Sequence, residues 1–409
     1  MDKTAYQAEL FANRLKKKYK ELRKTMRKNR VLSYRLYDRD IPEVPLSLDL
    51  YEFLPDTVDS PIEAARFMAE QNARISANDP SVENDIKERT YAVLYLYERP
   101  YEKADEEEAA WLDAMAETAA QVLGIQKEHI VLKTRGHKSH KTPEFLQSQG
   151  SMKSVGSLSL SKGQYQKNES IRGPFESLRD PADNLGPALS GLTLEQGQLF
   201  KLDLTSYLDT GLFFDHRTLR SMVRDTCSKK RVLNLFCYTG SFSVYAAQGN
   251  ARYVESVDLS NTYLAWTKEN MKLNGFDDKA RYVYTRADCM CFLQEKAVAA
   301  KSGNLKEDEL YDLIILDPPT FSNSKSTNDV LDINRDWPQL VKDCLNILAS
   351  GGTLYFSTNS ERIKFDISKL PPKTAAGLEF TCEEITAATI PVDFSGKKPH
   401  KVWEFMLKK

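Results

Sequence analysis

The chain has 409 residues, 41% of them hydrophobic and 28% charged, with a formal net charge of −1. That length exceeds what one ordinary core organises, so two or three domains are expected. No apolar run reaches the roughly eighteen residues of a membrane span, and the opening "MDKTAYQAEL" lacks the apolar stretch of a secretory signal, so a cytoplasmic chain with no membrane partner is expected. Six cysteines (227, 237, 289, 291, 344 and 382) form no C-x-x-C pair, as suits reduced thiols. Five histidines (129, 137, 140, 216 and 400) form no metal pattern with acids, so no metal is expected.

Net charge alone argues for no partner, but its distribution does. Residues 11–30, "FANRLKKKYKELRKTMRKNR", carry ten Lys or Arg and one acid, Glu21. Phe11, Leu15, Tyr19, Leu22 and Met26 recur at steps of four and three, which predicts a helix over 1–30 with one apolar seam and basic faces. Lys16, Lys17, Lys20 and Arg23 are its candidate contacts to a polyanion. A strand over 31–38 follows, then a proline-bearing edge strand or extended connection over 41–55. A loop with a helix near 61–76, a strand over 91–98, a helix over 105–124 and a strand over 129–135 complete a small α+β domain, 31–135. The helix 105–124 has acids in its first turn and Gly124 at its end. Residues 136–190 are rich in Ser, Gly, Lys and Gln and read as a polar mobile loop or linker.

From 191 to the end the chain is regular. Strands at 231–236, 252–258, 281–285, 311–316 and 352–358 alternate with helices at 240–248, 261–274, 288–301 and 334–349. A helix also starts near His216. The alternation implies a parallel sheet with helices on both faces, and the last segments read as an antiparallel closing hairpin. Ligands of such sheets sit beyond the carboxyl ends of the strands. There the sequence places Asn234, Phe236, Tyr238, Thr239 and Gly240 after the first strand, Asp258, Leu259 and Ser260 after the second, Asp288 and Cys289 after the third, and "DPPTF" (317–321) after the fourth. The first loop has a single glycine and no G-x-G-x-x-G, so it does not suit a pyrophosphate. S-adenosyl-L-methionine carries no phosphate and fits better: Asp258 for its ribose diol, Asp288 for its adenine amino group, Asn234 and loop backbone for its amino-acid end. "DPPTF" rigidifies the chain past a buried strand and makes a slot for a flat ring, with Asp317, Pro318 and Pro319 as its walls and Phe321 as a stacking partner.

The chain resembles the RNA methyltransferase family that forms the C-terminal half of the bifunctional RlmKL enzymes. The stretches that carry the resemblance include "FANRLKK", "YRLYDRDIPE", "YLDTGLFFDHR", "LNLFCYTGS", "VDLSNTYLAWTKENMKLNG", "DPPTFSNSK" and "GGTLYFSTN". The resemblance implies a Rossmann-like class I methyltransferase sheet beside the smaller α+β domain. It also implies S-adenosyl-L-methionine as cofactor and guanine N7 of large-subunit (23S) ribosomal RNA, or its precursor, as acceptor. Asn234, Tyr238, Thr239, Gly240, Asp258, Asp288 and Asp317 are then expected to line the cofactor site, with His216 and Arg217 reaching over it.

Guanine N7 carries an in-plane lone pair, so its methylation needs alignment and charge balance rather than a base or a covalent nucleophile. Asp317 is the expected charge partner. Asn323 and Ser324 are expected on the guanine edge. Cytosine-C5 methylation, the nearest alternative, needs an attacking thiolate. Neither "DPPTFSNSK" nor "YFSTNSE" contains Cys. A non-catalytic RNA-binding protein of ribosome assembly is the alternative outside enzymes, and it predicts a lost cofactor site.

Overall fold

A computed structural model describes residues 2–97, 104–135, 188–322 and 330–408. The expected loop 136–190 lies outside them up to residue 187, as do Asn323 and Ser324. The chain forms two compact units, Met1–Gly211 and Leu212–Lys409.

In the first unit, helix α1 (Lys3–Lys28) is not a free basic arm. Its seam residues Phe11, Leu15, Leu22 and Met26 are buried in one core with Leu36, Leu48, Leu94, Trp111 and Met115. Gln7 ties the first turns down, accepting from Trp111 Nε1 at 2.8 Å and donating to the Glu43 carbonyl at 3.1 Å. The four-stranded sheet has the order β1 (Ser33–Asp38), β2 (Leu46–Glu52), β3 (Thr90–Tyr97), β4 (Ile130–Arg135). The first two pairings are antiparallel, and β3–β4 is parallel across helix Asp105–Leu123. The proline-bearing stretch is therefore no edge strand. Pro42 and Pro45 precede β2, whose seven residues keep their amides and are all buried.

The expected domain boundary at 190 also shifts. Hairpin β5 (Ser190–Glu195) and β6 (Gln198–Asp203) bonds to the first unit, with Leu32 N–H donating to the Leu194 carbonyl at 2.9 Å and Leu54 N–H to the Leu192 carbonyl at 2.8 Å. Residues 191–211 thus belong with the N-terminal unit, because the hairpin finds unpaired backbone there.

The second unit is a seven-stranded sheet in the order β14 (Phe380–Glu384), β15 (Lys401–Leu407), β13 (Leu348–Thr358), β10 (Tyr311–Leu316), β7 (Arg231–Leu235), β8 (Tyr253–Asp258), β9 (Tyr282–Arg286). Two further short strands, β11 (Phe321–Ser322) and β12 (Leu331–Asp332), pair antiparallel with each other beyond the end of β10. The strands from β13 to β9 in the large sheet run parallel. β15 is antiparallel to both of its neighbours, so the closing pair enters the edge with the last strand inside. β7 and β10 are neighbours whose onward connections leave in opposite directions along the sheet. Their carboxyl ends form the crevice where such sheets bind ligands. No described helix is long and apolar enough to cross a membrane.

Candidate active site

The loop after β7 is held in an uncommon conformation. Phe236, Tyr238 and Gly240 all have left-handed backbone, with φ of 52°, 50° and 76°. Two of the three are bulky and non-glycine, a strain that folded chains keep mainly at functional sites. Only Gly240 is sterically obligatory, since a Cβ there would lie 2.3 Å from Thr267 Cγ2. Neighbouring acceptors hold the loop: Cys237 N–H donates to the Val257 carbonyl at 3.0 Å and Tyr238 N–H to Asp258 Oδ2 at 3.0 Å. Thr239 is buried, and its carbonyl accepts from Asn270 Nδ2 at 2.9 Å. The Tyr238 ring packs between Tyr263, at 4.7 Å, and Phe213, at 5.2 Å.

The strand-end acids fall into distinct roles. Asp258 is half-buried, and burial raises its carboxyl against the backbone N–H groups of Ser260, Tyr238 and Leu259. Ser260 N–H donates to its Oδ1 at 2.9 Å, and the two carboxylate oxygens together keep acceptor capacity beyond these backbone bonds. That arrangement fits a ribose diol. Asp288 caps helix Cys289–Lys301, its Oδ1 accepting from Met290 and Cys291 N–H at 2.8 and 3.2 Å. Its Oδ2 has no hydrogen bond among the described residues and can take an amino group. Leu259 contributes its carbonyl to Arg286 Nε, at 3.3 Å. Ser260 caps the helix Asn261–Leu273.

Three expected site residues are used elsewhere. Asn234 is buried and donates to Ser243 Oγ at 2.9 Å, because its position in β7 points it beneath the following helix rather than into the crevice. Cys289 packs in the core, accepting from Phe236 N–H at 3.3 Å. Arg217 does not reach outward, since its guanidinium pairs with Asp393 at 2.8 Å, both side chains being nearly fully buried.

His216 and Asp317 do come together. The Nε2 of His216 lies 3.5 Å from Asp317 Oδ1, and its Nδ1 lies 3.4 Å from Asp215 Oδ2. Burial pulls the imidazolium down, but Asp317 and Asp215 outweigh it and hold His216 raised to about 10. Burial likewise pushes Asp317 up, yet His216 and the hydroxyl donated by Ser357 hold it below the ordinary carboxylate range. Ser357 sits beside Asp317 because Leu316 pairs with Phe356 in register. Pro318 is buried, Pro319 is exposed, and Phe321 is 61% exposed, as a stacking face has to be.

Asp215, His400 and Asp393 join this site without any signal in the sequence. His400 Nδ1 lies 3.1 Å from Asp215 Oδ2, and the two histidine rings stack at 4.5 Å. No local pattern marks the pair, since His400 comes 185 residues after Asp215.

The sequence model of the S-adenosylmethionine-dependent methyltransferases matches residues 186–386. Two solved structures share the fold, each covering 98% of this chain and 81% of the other with a TM-score of 0.59. One is a methyltransferase complexed with SAH, 20% identical, and the other an S-adenosylmethionine-dependent methyltransferase from Streptococcus mutans, 18% identical. The chain is 35% identical to ribosomal RNA large subunit methyltransferase K of Neisseria meningitidis serogroup B, over 96% of this chain and 86% of that protein. It is 34% identical to ribosomal RNA large subunit methyltransferase K/L of Magnetococcus marinus and of Pseudomonas putida, of which it spans 42%. With a third of its residues shared along nearly its whole length, the chain belongs to the ribosomal RNA large subunit methyltransferase K family, whose cofactor is S-adenosyl-L-methionine.

Proposed function

We propose that this protein methylates guanine N7 in large-subunit ribosomal RNA by direct in-line transfer. The observation that carries this reading is the carboxylate at the end of β10. Asp317 is ionised, and the imidazole beside it is caught between two carboxylates and cannot serve as a neutral base. Such a site suits an acceptor that arrives with a free lone pair. The bound cofactor supplies an electrophilic methyl group on a sulfonium. As the N7–C bond forms and the S–C bond breaks, sulfur keeps the electron pair and the base gains a positive charge. Asp317 balances that charge. Pro318 and Pro319 wall the slot, and Phe321 stacks on the base. Asp258 and Asp288 hold the ribose and adenine, and the Tyr238–Gly240 loop closes over the amino-acid end. Asn323 and Ser324 are assigned to the guanine edge on sequence alone.

Burial disfavours the attacking thiolate of cytosine-C5 chemistry at Cys227, Cys237, Cys344 and Cys382. Burial pushes Cys237 and Cys344 well above the ordinary thiol value, and Cys227 and Cys382 to about 11. Methyl transfer to unmodified ribosomal RNA, with the product nucleoside identified by mass spectrometry, tests the reading. 7-Methylguanosine is expected, and 5-methylcytidine would replace this mechanism with a covalent one.

RNA backbone contacts are placed on α1. Lys16, Lys20, Lys24 and Lys28 are all exposed and recur every fourth residue, forming one row about 18 Å long at 1.5 Å per residue. Lys17 is exposed beside that row. Arg23 is turned aside, with its guanidinium 5.6 Å over the Tyr19 ring. Arg14 and Arg27 pair with Asp40 and Glu52. Changing the four row lysines to Gln is expected to weaken RNA binding for every sequence alike. It should also flatten the log–log salt dependence by about 0.7 for each phosphate no longer neutralised. An unchanged slope in a filter-binding titration removes this helix from the interface.

A further inference from the structure

We infer that His400 is a positioning residue for methyl transfer, holding the His216 imidazole against Asp317 together with Asp215. The inference rests on the proposed role of Asp317 as the carboxylate beside the acceptor.

The edges of the His216 ring are weakly fixed. Both of its nitrogens are buried and make no hydrogen bond of good geometry; they face carboxylates at 3.4 and 3.5 Å. Long ion pairs of this kind attract the ring but leave its rotation loosely defined. Its faces are better determined. His400 stacks on it at 4.5 Å with rings 29° apart, and the Phe242 ring meets it edge-on at 5.9 Å.

His400 itself is anchored at both nitrogens. The Thr389 hydroxyl donates to the Thr386 carbonyl at 2.8 Å, so toward His400 Nε2, at 2.9 Å, it must accept. At the other edge of the ring, Nδ1 lies 3.1 Å from Asp215 Oδ2. Asp215 is thus gripped from His400 and faces His216 with the same oxygen. The chain of contacts runs from the short helix Thr386–Thr389 through His400, Asp215 and His216 to Asp317. A segment outside the strand-end loops in this way sets the carboxylate of the acceptor side. Asp215 is held well below its ordinary value: burial opposes ionisation, but the two histidines outweigh it.

A competing reading is a metal site, because Asp215 Oδ2 and one nitrogen from each histidine lie within 4.8 Å of one another. Asp215 and His400 bond to each other directly, and the experiment below separates the two readings.

The test uses the full chain and two variants. His400→Phe keeps the ring and the stack but has no N–H, and His400→Asn restores a donor near the Nδ1 position. His400→Phe is expected to lower kcat on unmodified ribosomal RNA at least tenfold. KM for RNA, Kd for S-adenosylmethionine and Tm should stay close to wild type, and His400→Asn should recover most of the rate. Wild-type kcat in His400→Phe overturns the inference. So does a loss that follows cofactor affinity or Tm, which marks a merely structural residue. One equivalent of metal in the purified protein, with activity lost on its removal and regained on its return, overturns it in favour of the metal site. If the wild-type chain labels no ribosomal RNA, the substrate reading fails and ring ¹⁵N spectra decide the inference. Selective labelling reports only five histidines. A change in the His216 ring signals of His400→Phe then supports the coupling, and unchanged His216 signals overturn it.

Discussion

Asp317→Ala is expected to slow methyl transfer by about 10²–10³-fold, the scale seen when one preorganised electrostatic partner of a transition state is removed. The S-adenosylmethionine Kd should change far less, because the proposed ribose and adenine contacts are those of Asp258 and Asp288. The reason lies in where charge moves. In the proposed transfer the positive charge passes from sulfur to the base, next to a carboxylate that accepts from Ser357 and faces His216. Asp317→Asn separates shape from charge. If the carboxylate acts by its charge, Asn is nearly as slow as Ala in single-turnover assays. If it acts only as a spacer and hydrogen-bond acceptor, Asn keeps most of the rate. The pH dependence carries a sign. Asp317 is held below the ordinary 3.8, so its own titration removes no activity above that pH. His216 is raised from 6.5 to about 10. Its stabilising contribution is therefore complete below about pH 6.5 and is lost as pH rises through about 10. The depressed carboxylates contribute above their unfolded values and lose that contribution in acid. Thermal melts of the full chain should accordingly fall away on the alkaline side as His216 deprotonates, and less so in His216→Gln.

Arg217→Ala is expected to destabilise the second unit by about 3–5 kcal/mol, because it strands a buried carboxylate. Asp393 has a side chain with 0% exposure and accepts from Arg217 at 2.8 Å. Arg217 also lies 5.8 Å over the Phe214 ring, so some apolar packing goes with it. Asp393→Ala alone leaves a buried guanidinium and should be similarly costly. The double variant should be more stable than the sum of the two single losses predicts, since neither charge remains unpaired. Urea titration with a probe in the second unit measures all three. Strict additivity would mean that the pair contributes nothing as a pair, and that Arg217 acts through its other contacts. Because the pair joins the start of the helix Arg217–Thr226 to the turn Val392–Phe394, its loss should also loosen His216 and lower kcat.

Much of the site is legible along the chain. Asp258 and Asp288 each stand just before a helix and Asp317 just before two prolines, and strand period, capping residues and prolines are local signals. Ser260 and Asp288 cap their helices where the spacing predicts. The glycine of the first loop is demanded by left-handed backbone and by Thr267, 27 residues further on. Asn234 is not legible in the same way, because a polar residue at a strand end looks alike whether it opens onto the crevice or turns under the next helix. Ser243 decides which, and only the packed helix brings Ser243 close. Arg217 escapes for the same reason, since its partner lies 176 residues away.

Periodicity and chemistry within a few residues were enough for the alternation of strands and helices, the parallel sheet, the cofactor class and the carboxylates at the strand ends. Long-range packing was needed to decide that hairpin β5–β6 joins the N-terminal unit, that β15 lies inside β14, and that α1 is part of a core. It was needed again to bring Asp215, His216 and His400 together beside Asp317. Those outcomes depend on which unpaired backbone edge or buried charge finds its partner tens to more than a hundred residues away, and no local pattern carries that information.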